Sequence, residues 1–157
     1  FTPEVTRRLE HPVTRSELYA RLDDLAPSRN LFYAIRIDGR FSRVVTRTVP
    51  RQAKPYRPLT EVVQTQPTFE FTNVTGTVAG FRSPDYMQGI SVAGYHLHFI
   101  TSDRIGGGHV LDLTIEEVTL AVDHSSGLHV ELPETGAFLS AGLGKAGTSD
   151  AIKKAEG

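Results

Sequence analysis

At 157 residues the chain fits one ordinary domain with a real core, and its 22% charged and 39% apolar residues are the balance of a globular protein. A formal net charge of −1 gives no overall pull toward nucleic acid or anionic membrane, and no apolar run is long enough to cross a bilayer. With no cysteine, disulfides, thiolate nucleophiles and thiolate-bound metals are excluded, so any metal here needs nitrogen and oxygen ligands.

The chain opens on Phe1-Thr2-Pro3, with no initiating Met and nothing resembling a signal sequence. The expectation is a processed start or the downstream piece of something longer. The first predicted element is a helix: Thr14 and Glu17 form a capping-box pair, and Leu18, Leu22 and Leu25 recur at helical spacing until Pro27 stops it. Leu31 to Ile37 reads as a strand, Asp38-Gly39 as a tight turn, and Phe41 to Val49 as the returning partner. Three prolines make Pro50 to Pro58 a surface loop, and Leu59 to Gln64 fits a short helix and a strand equally. Phe69 to Phe81 reads as extended, bent around Asn73 to Gly76, and Arg82-Ser83-Pro84 ends it. Ile90 to Ile100 and His109 to Ile115 are the next strands, joined through Gly106-Gly107-Gly108. Val118 to Val122 and Leu128 to Leu132 read as a further hairpin around Ser125-Ser126-Gly127. The tail after Pro133 is rich in small residues, with one helical turn expected near Asp150 to Lys154. These elements predict a single α+β domain over residues 1–157. Its sheet is mainly antiparallel or mixed and curled toward a barrel, with one early helix and a short C-terminal helical turn.

His96 and His98 stand two apart in a segment of strong strand character, so both imidazoles share one face while Tyr95, Leu97 and Phe99 take the other. The expectation is that the apolar face packs on the core and the histidine face looks into a cavity. His109 heads the strand after the glycines, and an antiparallel return brings it beside His98. Three neutral imidazoles with open coordination positions are a pattern of catalytic zinc sites. A lone strand histidine is ordinarily a satisfied polar residue; the pair, the third histidine and the three glycines together favour a metal. His11, His124 and His129 lack such company.

Gly94-Tyr95-His96-Leu97-His98-Phe99-Ile100, followed by Gly107-Gly108-His109-Val110, closely resembles the metal-binding signature of the alpha-acetolactate decarboxylase family. Ser28 to Gly39 is similar to that family's first long strand and turn. Thr46-Arg47-Thr48-Val49, with Lys54-Pro55-Tyr56 behind it, is similar to the segment carrying its active-site arginine. Ala155-Glu156-Gly157 resembles its C-terminal tail, which supplies an active-site glutamate. The resemblance covers the C-terminal two-thirds of the family's sequence. The family's upstream segment, with sheet strands and a second active-site glutamate, has no match here.

The resemblance implies a reaction, the zinc-dependent loss of carbon dioxide from 2-acetolactate to give acetoin. Breaking the bond to the carboxylate leaves an electron pair on the adjacent carbon. Zn2+ chelated by the ketone and hydroxyl oxygens stabilises the resulting enediolate without an organic cofactor. Arg47 is the implied partner of substrate carboxylate or enediolate, because its planar fork pairs with such oxygens and never loses its charge. Glu156 is the implied proton carrier or hydrogen-bond partner. A small-molecule substrate, a homodimer and a cytoplasmic location are expected, with no nucleic-acid or membrane partner. Two other readings fit the histidines. A cupin-like oxygenase or isomerase would add a carboxylate ligand, for which Asp103 is the nearby candidate. A non-catalytic module would use the metal only to brace its sheet, although such sites are normally closed by four protein ligands.

Overall fold

In a computed structural model, which describes residues 1–57 and 59–142, the capping box forms as the spacing predicts. The Glu17 amide donates to the Thr14 hydroxyl at 3.4 Å, and the Glu17 carboxylate accepts from the Thr14 amide at 2.8 Å. These bonds satisfy donors at the start of α1 (Arg15–Leu25), which ends at Ala26, just before Pro27. Only Leu18 and Leu22 of this helix are buried, so its place is set by docking that pair against the sheet rather than by helix propensity.

The sheet contains β1 (Val5–Leu9), β2 (Val13–Thr14), β3 (Phe32–Arg47), β4 (Thr68–Ser83), β5 (Gly94–Thr101) and β6 (Gly107–Ser125). Its order is β1-β6-β3-β4-β5, with β2 also on β6, and every pairing between these strands is antiparallel. β5 returns to pair with the start of β6, so the last four strands curl into a ring, in keeping with the expected α+β class. Alternation along the strands sends Ile35, Ile37, Val44, Val78, Leu97 and Phe99 inward, where α1 closes over them. Phe41 and Phe99 meet edge to face at 5.5 Å in this core. Each fully buried side chain of this kind contributes roughly 1.5–3 kcal/mol relative to exposure.

Several elements differ from the sequence expectation. Asp38-Gly39 is no turn: β3 runs straight through it. The Asp38 carboxylate accepts from Arg36 Nε at 2.7 Å and from the Thr77 hydroxyl at 2.6 Å, so it is satisfied on the sheet surface without bending the chain. Gly39 has φ +149°, and a Cβ there would lie 2.3 Å from the Glu117 carbonyl oxygen, next to the register shift between Arg40 and Phe41. The glycine therefore marks a bulge and a close strand approach. Nor do Val118 to Val122 and Leu128 to Leu132 form a hairpin. The first segment lies inside the 19-residue β6, paired with β3 on one side and β1 on the other. Both its edges are taken, which leaves Leu128 to Leu132 no place beside it, and that segment is irregular and exposed. β5 begins at Gly94 rather than Ile90, because the Ile90 and Ser91 amides turn back to the Met87 carbonyl.

Residues before Thr14, where the sequence suggested nothing, supply β1; its largely exposed pattern becomes a strand by pairing Val5 with Val122 and Leu9 with Val118. The ambiguous segment resolves into α2 (Leu59–Val62) and a following 3-10 turn. A further short helix, α3 (Gly136–Leu139), is capped by Thr135. The helical turn expected near Asp150 to Lys154 lies outside the described residues. Among the described residues no helix is long and apolar enough to cross a membrane. Replacing Gly39 with alanine adds both a strained φ and an overpacked contact, so Gly39→Ala should lower unfolding stability by on the order of 2–4 kcal/mol. Urea denaturation reads this directly. A loss below about 1 kcal/mol, as in an open glycine turn, would contradict the strand placement.

Candidate metal centre

β5 presents two chemically different faces, as its alternation predicts. Leu97 and Phe99 are buried inward, and His96 and His98 point outward. In the β5–β6 ladder His98 lies directly opposite His109, and His109 lies opposite Arg47 of β3. Partners across a ladder share a face, so His98, His109 and Arg47 form one row across the outside of the sheet. His96 joins the row from one step along β5, with its Nε2 3.0 Å from Nε2 of His98. The three rings stand 5.0 to 5.3 Å apart, centre to centre. One nitrogen from each of His96, His98 and His109 lies within 4.8 Å of the others.

That spacing suits an ion. Tetrahedral zinc with bonds of about 2.0–2.1 Å needs ligand nitrogens a little over 3 Å apart, which modest ring rotation reaches from here. The histidine face borders a groove at His96. It is the outer face of the curled sheet, with His98 exposed and His96 and His109 half-buried, because the inner face is filled by the core. Asp103, the carboxylate wanted by a cupin-like site, is engaged in its own loop. It accepts from the Thr101 hydroxyl at 2.5 Å and from the Ile105 amide at 3.1 Å, and these bonds hold its carboxyl below the ordinary range. It is not part of the histidine cluster.

A groove of about 520 Å³ runs from His96 across the outer face. The row beneath it is His96, Phe81, Ala34 and Asp123, each opposite the next in the ladders. Ile90 and residues 127–131 complete its walls. His124 and His129, which showed no company in sequence, line this groove without joining the cluster. His124 pairs with Glu4, and His129 lies 3.3 Å from Glu131. His11 lines a separate hollow beside Arg8 and Arg21. The groove-side residues Phe81 and Ala34 carry no sequence signal, since only the register places them beside His96. Glu156 lies outside the described residues.

The inner side of the same strand is anchored by polar groups. Tyr95 stacks on Tyr19 of α1 with centroids 4.1 Å apart, and its hydroxyl donates to Asp23 Oδ1 at 2.7 Å. Burial, reinforced by the Asp23 carboxylate, pushes the Tyr95 phenol far up, so it remains a donor. Arg82, opposite Tyr95 and buried, brings its Nε to 3.4 Å from the same carboxylate oxygen. Gly80 lets β4 approach this segment closely, for a Cβ there would sit 2.0 Å from the His96 carbonyl oxygen.

A family model described as alpha-acetolactate decarboxylase matches residues 1–145. The chain is similar to the alpha-acetolactate decarboxylase of Bacillus subtilis, with 46% identity over 157 residues covering 100% of this chain and 62% of the relative. It is similar to that of Methanosarcina mazei, with 52% identity over 145 residues covering 92% of this chain and 50% of the relative. The X-ray structure of the Bacillus subtilis protein superposes with a TM-score of 0.96 and 46% identity, over 100% of this chain and 67% of that one. The chain thus spans between half and two thirds of the lengths of these relatives. Over that span, it belongs to the alpha-acetolactate decarboxylase family.

Proposed function

We propose that this chain carries the zinc centre and the substrate-binding arginine of a 2-acetolactate decarboxylase, the activity named for its relatives. The observation that carries the reading is the row His98, His109 and Arg47, with His96 beside it, on one face of the sheet. His96, His98 and His109 would hold the ion. When bound, zinc supplies Lewis-acid polarisation of the oxygens of an α-hydroxy ketone.

The chain's own residues then do the rest. The register sets Arg47 next to His109, where its permanently charged fork fits the substrate carboxylate before cleavage or the enediolate after it. Binding the carboxylate there orients the bond that breaks, and carbon dioxide leaves while the electron pair moves onto the former ketone. One proton then returns to carbon to give acetoin, and Glu156 is our candidate for carrying it. The groove beside His96 gives the substrate a way in from solvent.

Elemental analysis should find about one zinc per chain, and His96→Ala, His98→Ala or His109→Ala should each abolish most of it with only modest loss of stability, since these rings lie outside the core. Zinc content indifferent to all three changes would sink the reading. Arg47→Lys keeps the charge but loses the fork, so it should leave zinc content intact and raise the barrier for acetoin release by on the order of 2–4 kcal/mol. Equal turnover by parent and Arg47→Lys in the intact protein would reduce Arg47 to a surface cation. Glu156→Gln keeps the shape but cannot carry the proton. Turnover of racemic 2-acetolactate should therefore fall much further than zinc binding does; equal losses of both would assign Glu156 to holding the metal.

A further inference from the structure

The two histidines of β5 are not held alike. His98 is fixed by pairing on both sides, with Ala79 on β4 and His109 on β6. The β5–β6 ladder comprises only His98, Phe99 and Ile100 on the β5 side. Among the described residues, 94–97 therefore pair with β4 alone, and from Thr114 onward the edge of β6 that β5 uses is taken by β2. Fraying at a strand end with one described ladder neighbour would carry His96 away from the other two rings.

What meets this half-paired segment from within is a cluster around one carboxylate. Tyr95 is stacked on Tyr19, with its hydroxyl on Asp23 Oδ1. Arg82, the β4 residue opposite Tyr95, shares that oxygen and donates to the Arg29 carbonyl at 3.2 Å. Arg29 in turn donates to Asp23 Oδ2 at 3.1 Å. Both strands at the level of His96 are thus tied to the C-terminal half of α1, on the face opposite the ligands.

We infer that Asp23 and Tyr95 are positioning residues for His96, bracing the half-paired end of β5 from the core side so that the third imidazole stays on the ion. This rests on the zinc reading above. Neither residue touches the metal or substrate; each acts through the backbone of its strand. The arrangement divides the labour, with the ladder setting His98 and His109 and the Asp23 cluster setting His96.

The test compares Tyr95→Phe, Asp23→Ala and Asp23→Asn with Thr14→Ala, which loosens the same helix from its far end. Two readouts are taken at a temperature where all variants are folded: amide hydrogen exchange along β5 in metal-free protein, and zinc affinity by competition with a chromophoric chelator. Tyr95→Phe and Asp23→Ala should speed exchange at residues 94–97 on the order of tenfold more than at 98–101. They should also weaken zinc binding by about tenfold, as removal of groups that orient ligands from behind does. Asp23→Asn keeps an acceptor for the Tyr95 hydroxyl and should recover most of both losses, and Thr14→Ala should change neither. Exchange that rises evenly along β5, or a Thr14→Ala effect on zinc equal to that of the anchor variants, would overturn the inference while the zinc reading stands. A parent chain that binds no zinc overturns both, and is seen before any variant is made.

Discussion

Pairing of His98, Phe99 and Ile100 with His109, Gly108 and Gly107 joins the two ends of a strongly curled four-strand sheet. Everything at the centre follows from that short seam. It closes the ring, so that Phe99 and Phe41 meet inside the core, and it sets two imidazoles directly across from each other outside it. The seam requires two backbones to come together where side chains would collide: a Cβ at Gly107 would lie 2.3 Å from the Phe99 carbonyl oxygen. The glycine run before His109 is therefore part of the site's construction as much as a loop.

The same strand serves stability and chemistry by assigning them to opposite faces. Inward, Leu97 and Phe99 belong to the core cluster and Tyr95 packs against it with its hydroxyl satisfied by Asp23. Outward, the histidines stand apart from the core cluster, His98 exposed and His96 and His109 half-buried, so polar and chargeable groups gather there at a lower burial cost. Further along the outer surface, Arg43 pairs with Asp112 and Glu70, at 2.7 and 3.1 Å. These exposed pairs contribute little to stability, but they keep acidic groups occupied near the edge of the face that carries Arg47.

Much of the site was legible in the residues themselves. A His-x-His pair in a β-rich run puts two rings on one face through period two alone, and a glycine turn returning to a third histidine implies an antiparallel partner. The capping box at Thr14 and Glu17 is equally local, since both of its bonds close within four residues. Such features depend on spacing along the chain, and spacing survives folding.

Where the reading went astray, local chemistry was outvoted by distant partners. Asp38-Gly39 carries turn chemistry, but β4 and β6 occupy both edges of the strand there, and ladder bonds on two sides outweigh a local preference for turning. Leu128 to Leu132 alternates like a strand yet stays out of the sheet, since both edges of its expected partner in β6 are taken, and β1 scarcely alternates yet becomes a strand because β6 offers it an edge. By itself, then, the sequence determined the α+β class, the capped helix, and the histidine triad with its strand period. Only the tertiary structure decided register: which row Arg47 shares, which groove His96 borders, and that Asp23 stands behind it. These are contacts between residues far apart in the chain, and they exist only once the sheet has closed.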